Sequence, residues 1–111
     1  MSTGDFDVQL VPVGGGAYVV RVVGDLDMAT APTLEERVAS VDVASRLVID
    51  LTLCTFLDSA AVRLLTTIAR DSDTAGRSVA LVASDPGILR VLEITAVDDV
   101  LPVHSTVDEA L

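Results

Sequence analysis

The chain has 111 residues, 50% of them hydrophobic, and a formal net charge of −10. That length supports one domain with a real core, and the apolar fraction excludes disorder. No apolar run reaches the roughly 18 residues of a membrane span. The charge argues against nucleic acid and an anionic membrane as partners; it suits a basic protein surface or serves only to keep the domain soluble.

Every basic residue is an arginine: Arg21, Arg37, Arg46, Arg63, Arg70, Arg77 and Arg90. Without lysine there is no Schiff-base chemistry, no P-loop lysine and no lysine general base. The one cysteine, Cys54, excludes an internal disulfide, fits a reducing compartment and, in apolar surroundings, reads as a core thiol. The acidic N-terminus lacks the basic-then-apolar order of a secretion signal, so a soluble cytoplasmic protein is expected.

Phe6 to Val13 alternates as a strand, with Phe6, Val8, Leu10 and Pro12 on one face. Gly14-Gly15-Gly16 marks a turn, and Ala17 to Val23 reads as a second strand, giving an antiparallel hairpin. Gly24 to Thr30 reads as a loop. Thr30 is placed to cap a helix beginning near Ala31-Pro32, with Leu34, Val38 and Val41 inward and Glu35, Glu36 and Arg37 in water. Arg46 to Leu51 is a near-continuous apolar run, the mark of a central strand covered on both faces.

From Asp58 a longer helix follows. Val62, Leu65, Ile68 and Ala69 form its stripe, Ala61 and Leu64 widen it, and Gly76 ends it. Ser78 to Ala83 is another buried strand. Asp85-Pro86 opens a helix with Ile88, Leu89, Leu92 and Val91 as inner residues. Val100 to Val103 reads as an edge strand, where proline is tolerated, and Val107 to Leu111 adds a final helical turn. The order β-β-α-β-α-β-α-β calls for a single α/β domain over residues 1–111. Its mixed sheet would begin as an antiparallel hairpin and continue in parallel, with residues 1–5 flexible.

The most informative stretch runs from Leu47 to Ser59. A strand delivers the chain to a turn that leaves a serine hydroxyl at the mouth of a helix, where free N–H groups and the helix dipole favour negative charge. Read as plain structure, Asp58 or Ser59 caps the helix, Asp25 and Asp27 are solvated turn residues, and Thr30 is a cap. His104 stands alone, with no metal or nucleophile partner in the sequence, and reads as a surface or packing residue.

These words and their order resemble the STAS domain, and within it the bacterial anti-sigma factor antagonists. Gly24-Asp-Leu-Asp27 is similar to the family's Gly-Glu-Leu-Asp. Asp50-Leu-Thr and the apolar stretch to Asp58-Ser59 are similar to its Asp-Leu-Ser…Asp-Ser-Ser/Thr-Gly signature. Val91 to Thr95 resembles the late helix, and Val100 to Val103 with Asp108 to Leu111 resembles the tail. The resemblance implies a phosphoacceptor at Ser59 and a contact surface of Asp25, Asp27, Thr30, Asp58, Ser59 and Ala60. It implies as partners an anti-sigma factor with serine kinase activity, which holds ATP and Mg²⁺ itself, and a phosphatase. The chain itself would need no metal or cofactor, would not be an enzyme, and would be a monomer or weak dimer.

Two departures stand out. Ala60-Ala61 replaces Ser/Thr-Gly, so a methyl group hinders a backbone approach that glycine permits. Ala96 replaces a glycine, at a cost to that helix end. Two other readings follow from the residues. One is a STAS scaffold or sensor-like module without a switch, motivated by Ala60-Ala61. The other is a receiver-like phosphoaspartate domain built on Asp25, Asp27 and Asp50, which the lack of lysine disfavours.

Overall fold

The computed structural model describes residues 5–41 and 46–111; the expectation of flexibility at the N-terminus falls mostly on residues 1–4, outside the described residues. Strands β1 (Asp7–Val13) and β2 (Ala17–Leu26) form the expected hairpin, paired from Val13↔Ala17 back to Asp7↔Val23. Helix α1 (Ala31–Ser40), strand β3 (Arg46–Leu57), helix α2 (Ser59–Ala75), strand β4 (Ser78–Val82) and helix α3 (Pro86–Ile94) follow. A 3-10 turn (Val97–Asp99), strand β5 (Val103–His104) and helix α4 (Val107–Ala110) complete the order. The sheet runs β1-β2-β3-β4-β5, antiparallel in its first pair and parallel thereafter.

Each parallel strand pairs with its predecessor in sequence, so successive crossovers of one hand place their helices on one face. Alternate residues of the central strands divide accordingly. Val20, Ile49 and Leu81 join Leu34, Val38, Leu65, Ile68, Ile88 and Leu92 in the larger core beneath α1, α2 and α3. Their neighbours Val19, Val48, Ala80 and Val82 form a smaller core with Ala110 of α4 on the opposite face. Both faces of β3 and β4 are therefore covered, which explains their near-continuous apolar runs.

The structure corrects several expected boundaries. Gly24-Asp25-Leu26 belongs to β2, not to a loop, and β3 continues past Leu51 to Leu57. Two register shifts against β2 explain why these extensions escape a period-two reading: one lies between Arg21 and Val23, the other between Gly24 and Asp25. Across the first, Arg21 faces Asp50 while Val23 faces Leu53; across the second, Gly24 faces Cys54 while Asp25 faces Phe56. Each shift places an extra residue in β3, so the buried positions Leu51, Cys54 and Leu57 recur every third residue. Gly24 adopts φ +96, and a Cβ there would lie 3.2 Å from the Asp5 carbonyl oxygen and 3.3 Å from the Phe6 Cα, so glycine is required twice over.

Phe6 precedes β1, and along the expected inner face Leu10 is only half-buried, packed at the margin of the larger core, and Pro12 is exposed. Leu89 is exposed, since Ile88 and Leu92 one turn apart define the buried stripe of α3. β4 stops at Val82, one residue short of Ala83. The last strand forms at Val103–His104, not Val100–Val103. The amides of Val100 and Leu101 are spent on the Val97 carbonyl, and Pro102 contributes only its carbonyl, which accepts from the Leu81 amide at 2.8 Å. Gly76, at φ 76, ends α2 as expected. Among the described residues no helix is long and apolar enough to cross a membrane.

Candidate functional site

Strands β2 and β3 end side by side, with Leu26 opposite Leu57, and both chains turn into helices there. Asp58 takes an extended conformation at the N-cap of α2 and divides its carboxylate between two elements. Oδ1 accepts from the Ala61 amide at 3.0 Å, satisfying an orphan donor of the first helical turn. Oδ2 accepts from the Met28 amide at 3.1 Å, tying the loop after β2 to the start of α2. The Asp58 amide donates to the Leu26 carbonyl at 3.3 Å.

Asp27 organises that loop. Its Oδ1 accepts from the amides of Ala29 and Thr30 at 3.0 and 3.1 Å, and its own amide donates to Thr30 Oγ1 at 2.8 Å. The Thr30 hydroxyl donates to the Asp25 carbonyl at 2.8 Å. Thr30 does occupy the N-cap position of α1, but in a helical conformation and without a side-chain cap. Its hydroxyl faces back into the loop, held by Asp25 and Asp27, so the expected capping role is corrected to a loop brace. The Asp25 carboxylate accepts from the Thr55 hydroxyl at 2.5 Å and remains exposed.

Ser59 is the first residue of the 17-residue α2 and is exposed. Asp58 performs the capping, so the Ser59 hydroxyl is left over: it makes no hydrogen bond among the described residues. Ala60 is half-buried beside Met28 in a groove between α1 and α2. Ala61, by contrast, has no exposed surface and packs in the larger core. The alanine replacing the family's glycine therefore points inward, away from any partner, and only Ala60 bears on the outer surface.

Sequence reasoning missed three neighbours. Thr55 fixes the Asp25 carboxylate, Met28 is 78% exposed, and Phe56 is 50% exposed. Both apolar side chains lie beside acidic groups, Met28 directly after Asp27 and Phe56 opposite Asp25 across the strand pair. The register shifts that turn Phe56 outward leave no simple period in the sequence.

Asp50 is not part of this cluster. It is buried at 3% exposure, paired with Arg21 at 3.5 Å, and its Oδ1 accepts from the Thr52 amide and hydroxyl at 3.0 and 2.7 Å. It is thus committed to bracing the first register shift, and the receiver-like grouping of Asp25, Asp27 and Asp50 does not assemble. Cys54 is buried, its Sγ donating to the Phe56 carbonyl at 3.3 Å. Burial pushes its thiol pKa above the ordinary 9.0, against the lowering effect of backbone hydrogen bonds to Phe56 and Leu26. His104 is half-buried in β5, its carbonyl accepting from the Ala83 amide at 3.0 Å. Among the described residues no three His, Cys, Asp or Glu side chains are grouped to hold a metal ion.

The STAS domain family model matches residues 10–110. The anti-sigma-F factor antagonist RsfB of Mycobacterium tuberculosis is 32% identical over 115 residues, covering 100% of this chain and 92% of its own length. The crystal structure of an anti-sigma factor antagonist from Mycobacterium paratuberculosis superimposes with a TM-score of 0.87 at 30% identity, over 98% of this chain and 93% of its own. The antagonist SpoIIAA in its unphosphorylated form shares the fold, with a TM-score of 0.79 at 19% identity over 94% of this chain and 92% of its own. With nearly its whole length matched both by that family model and by these relatives, the chain belongs to the STAS domain family.

Proposed function

We propose that this protein is an anti-sigma factor antagonist whose partner choice is switched at Ser59. Unphosphorylated, it binds an anti-sigma factor that is also a serine kinase, and the sigma factor is released. In the kinase complex the Ser59 Oγ attacks the γ-phosphorus of ATP, ADP departs, and the hydroxyl proton passes to a base of the kinase. The phosphorylated chain then dissociates, and a phosphatase restores it. ATP and Mg²⁺ belong to the partner; the chain acts in the cytoplasm as a binding module, a monomer or weak dimer, and not as an enzyme.

One observation carries this reading: the Ser59 hydroxyl is exposed and idle because Asp58 already caps α2. A serine needed as a cap would destabilise its helix when modified; this one is free to change. A phosphoserine carries roughly −1.5 to −2 charges at pH 7. The helix N-terminus stabilises such a group by about 0.3–1 kcal/mol, so the fold accepts it. A docked partner with no cation opposite Ser59 does not, because the phosphate joins Asp25, Asp27 and Asp58 in a patch of negative charge that must be desolvated. Met28 and Phe56 supply the apolar contact area that holds the unmodified complex.

The test is incubation with the cognate anti-sigma kinase and ATP, phosphate mapping by mass spectrometry, and titration of variants. Ser59→Ala should bind as the unmodified chain does, and Ser59→Asp at least about tenfold more weakly, a loss of about 1.4 kcal/mol. Phosphate elsewhere than Ser59, or equal affinity of both variants, defeats the switch. Binding that persists under phosphorylating conditions would instead favour a non-switching scaffold. The motive for that scaffold, the alanine pair, is weakened by the inward orientation of Ala61.

A further inference from the structure

A cavity of about 530 Å³ opens between the C-terminal half of α2, the start of β4 and the segment after the 3-10 turn, at the end of α2 remote from Ser59. Its size falls within the roughly 300–1,000 Å³ typical of small-molecule sites. Ala69, Val79, Val100 and Leu101 give it an apolar lining, and Val100 is left 54% exposed at its edge. Two guanidinium groups, Arg70 and Arg77, and one carboxylate, Asp73, also line it, a net charge of +1 in a chain of −10.

Among the described residues neither cation forms an ion pair. Arg77 donates through Nε and Nη2 to the Ser72 hydroxyl at 3.4 and 3.2 Å and through Nη1 to the Val41 carbonyl at 3.3 Å. All three bonds go to uncharged acceptors, and further N–H groups of its fork are left over. The guanidinium of Arg70 makes no hydrogen bond or ion pair among the described residues, although acidic side chains abound in the chain. Arg77 is thus fixed by its bonds to Ser72 and Val41, and Arg70 is free to close on an anion.

We propose that this cavity binds a small organic monocarboxylate with an aliphatic body. The apolar walls would take the body, and Arg70 and Arg77 the carboxylate in charge-assisted hydrogen bonds. A monoanion matches the single net positive charge, whereas a phosphate dianion would face Asp73 with charge in excess. The site lies about 16 Å along α2 from Ser59 at 1.5 Å per residue, so its occupancy is measurable on the isolated chain without any partner.

Octanoate is the probe, with 1-octanol and acetate as controls lacking the charge and the body. Each is titrated into the full chain while amide chemical shifts are followed by NMR. Octanoate should give saturable shifts centred on Ala69, Arg70, Val79 and Leu101, with both controls at least about tenfold weaker. Arg70→Gln, an exposed change that leaves the core intact, should weaken octanoate about tenfold, the effect of losing one charge-assisted hydrogen bond. Ala69→Phe should abolish the shifts by filling the space, its folding checked by circular dichroism. Octanol binding as well as octanoate, an unchanged affinity in Arg70→Gln, saturation centred elsewhere, or no saturation below about 10 mM, a Kd already near the weak limit of specific binding, overturns the proposal.

Discussion

Ala96 is the one residue other than glycine that the described chain holds at positive φ, at 62, in the left-handed turn that ends α3. An L side chain is crowded in that conformation, so the replacement of the family's glycine carries a local penalty. Ala96→Gly should raise unfolding free energy by about 0.5–1 kcal/mol, read from urea denaturation midpoints at constant m-value. Cys54 gives a pH-dependent counterpart. Its folded pKa lies above 9.0 because burial disfavours the thiolate, so the folded chain retains a proton that the unfolded chain loses. The associated stability is intact below pH 9.0, the unfolded value, and declines as pH rises from there through the folded pKa. Urea midpoints measured between about pH 8 and 10.5 should therefore fall for the native chain and fall less for Cys54→Ala.

At the level of elements, Asp58 couples three: it ends β3, caps α2 and holds the loop from β2. Asp58→Ala should cost about 1–2 kcal/mol through the lost cap and further stability through the freed Met28 amide. Asp58→Asn, which retains a cap oxygen, should cost less; equal urea midpoints for the two variants would contradict the shared role. The cap was legible in the sequence because Asp-Ser before a helical pattern admits few alternatives. So were the hairpin, from its three glycines, and the helix stripes at Leu34 and Val38 or Leu65 and Ile68, which follow the 3.6 period. The outer half of β3 was not. Its two inserted residues set Leu51, Cys54 and Leu57 three apart, a spacing that fits neither strand nor helix, and so hid Phe56 and Thr55 as neighbours of the site. The role of Thr30 is hidden for a different reason. A threonine just before a helix suggests a cap, and only the neighbouring loop reveals that Asp25 and Asp27 hold its hydroxyl.

For the molecule as a whole, the −10 net charge acts before contact. A partner with a basic surface would be drawn in by long-range attraction that salt screens, while short-range packing would govern its release. Stopped-flow association with the anti-sigma factor should slow several-fold between about 0.05 and 0.5 M salt, with little change in dissociation. A salt-independent association rate would show that the acidity serves solubility alone. The sheet order β1-β2-β3-β4-β5 has a different consequence. No strand has to insert between two others already paired, so the sheet can lengthen outward by one βα unit at a time as the chain leaves the ribosome. Each arriving strand meets a ready-made edge after the shortest crossover available, and the entropic toll of closing large loops is kept low.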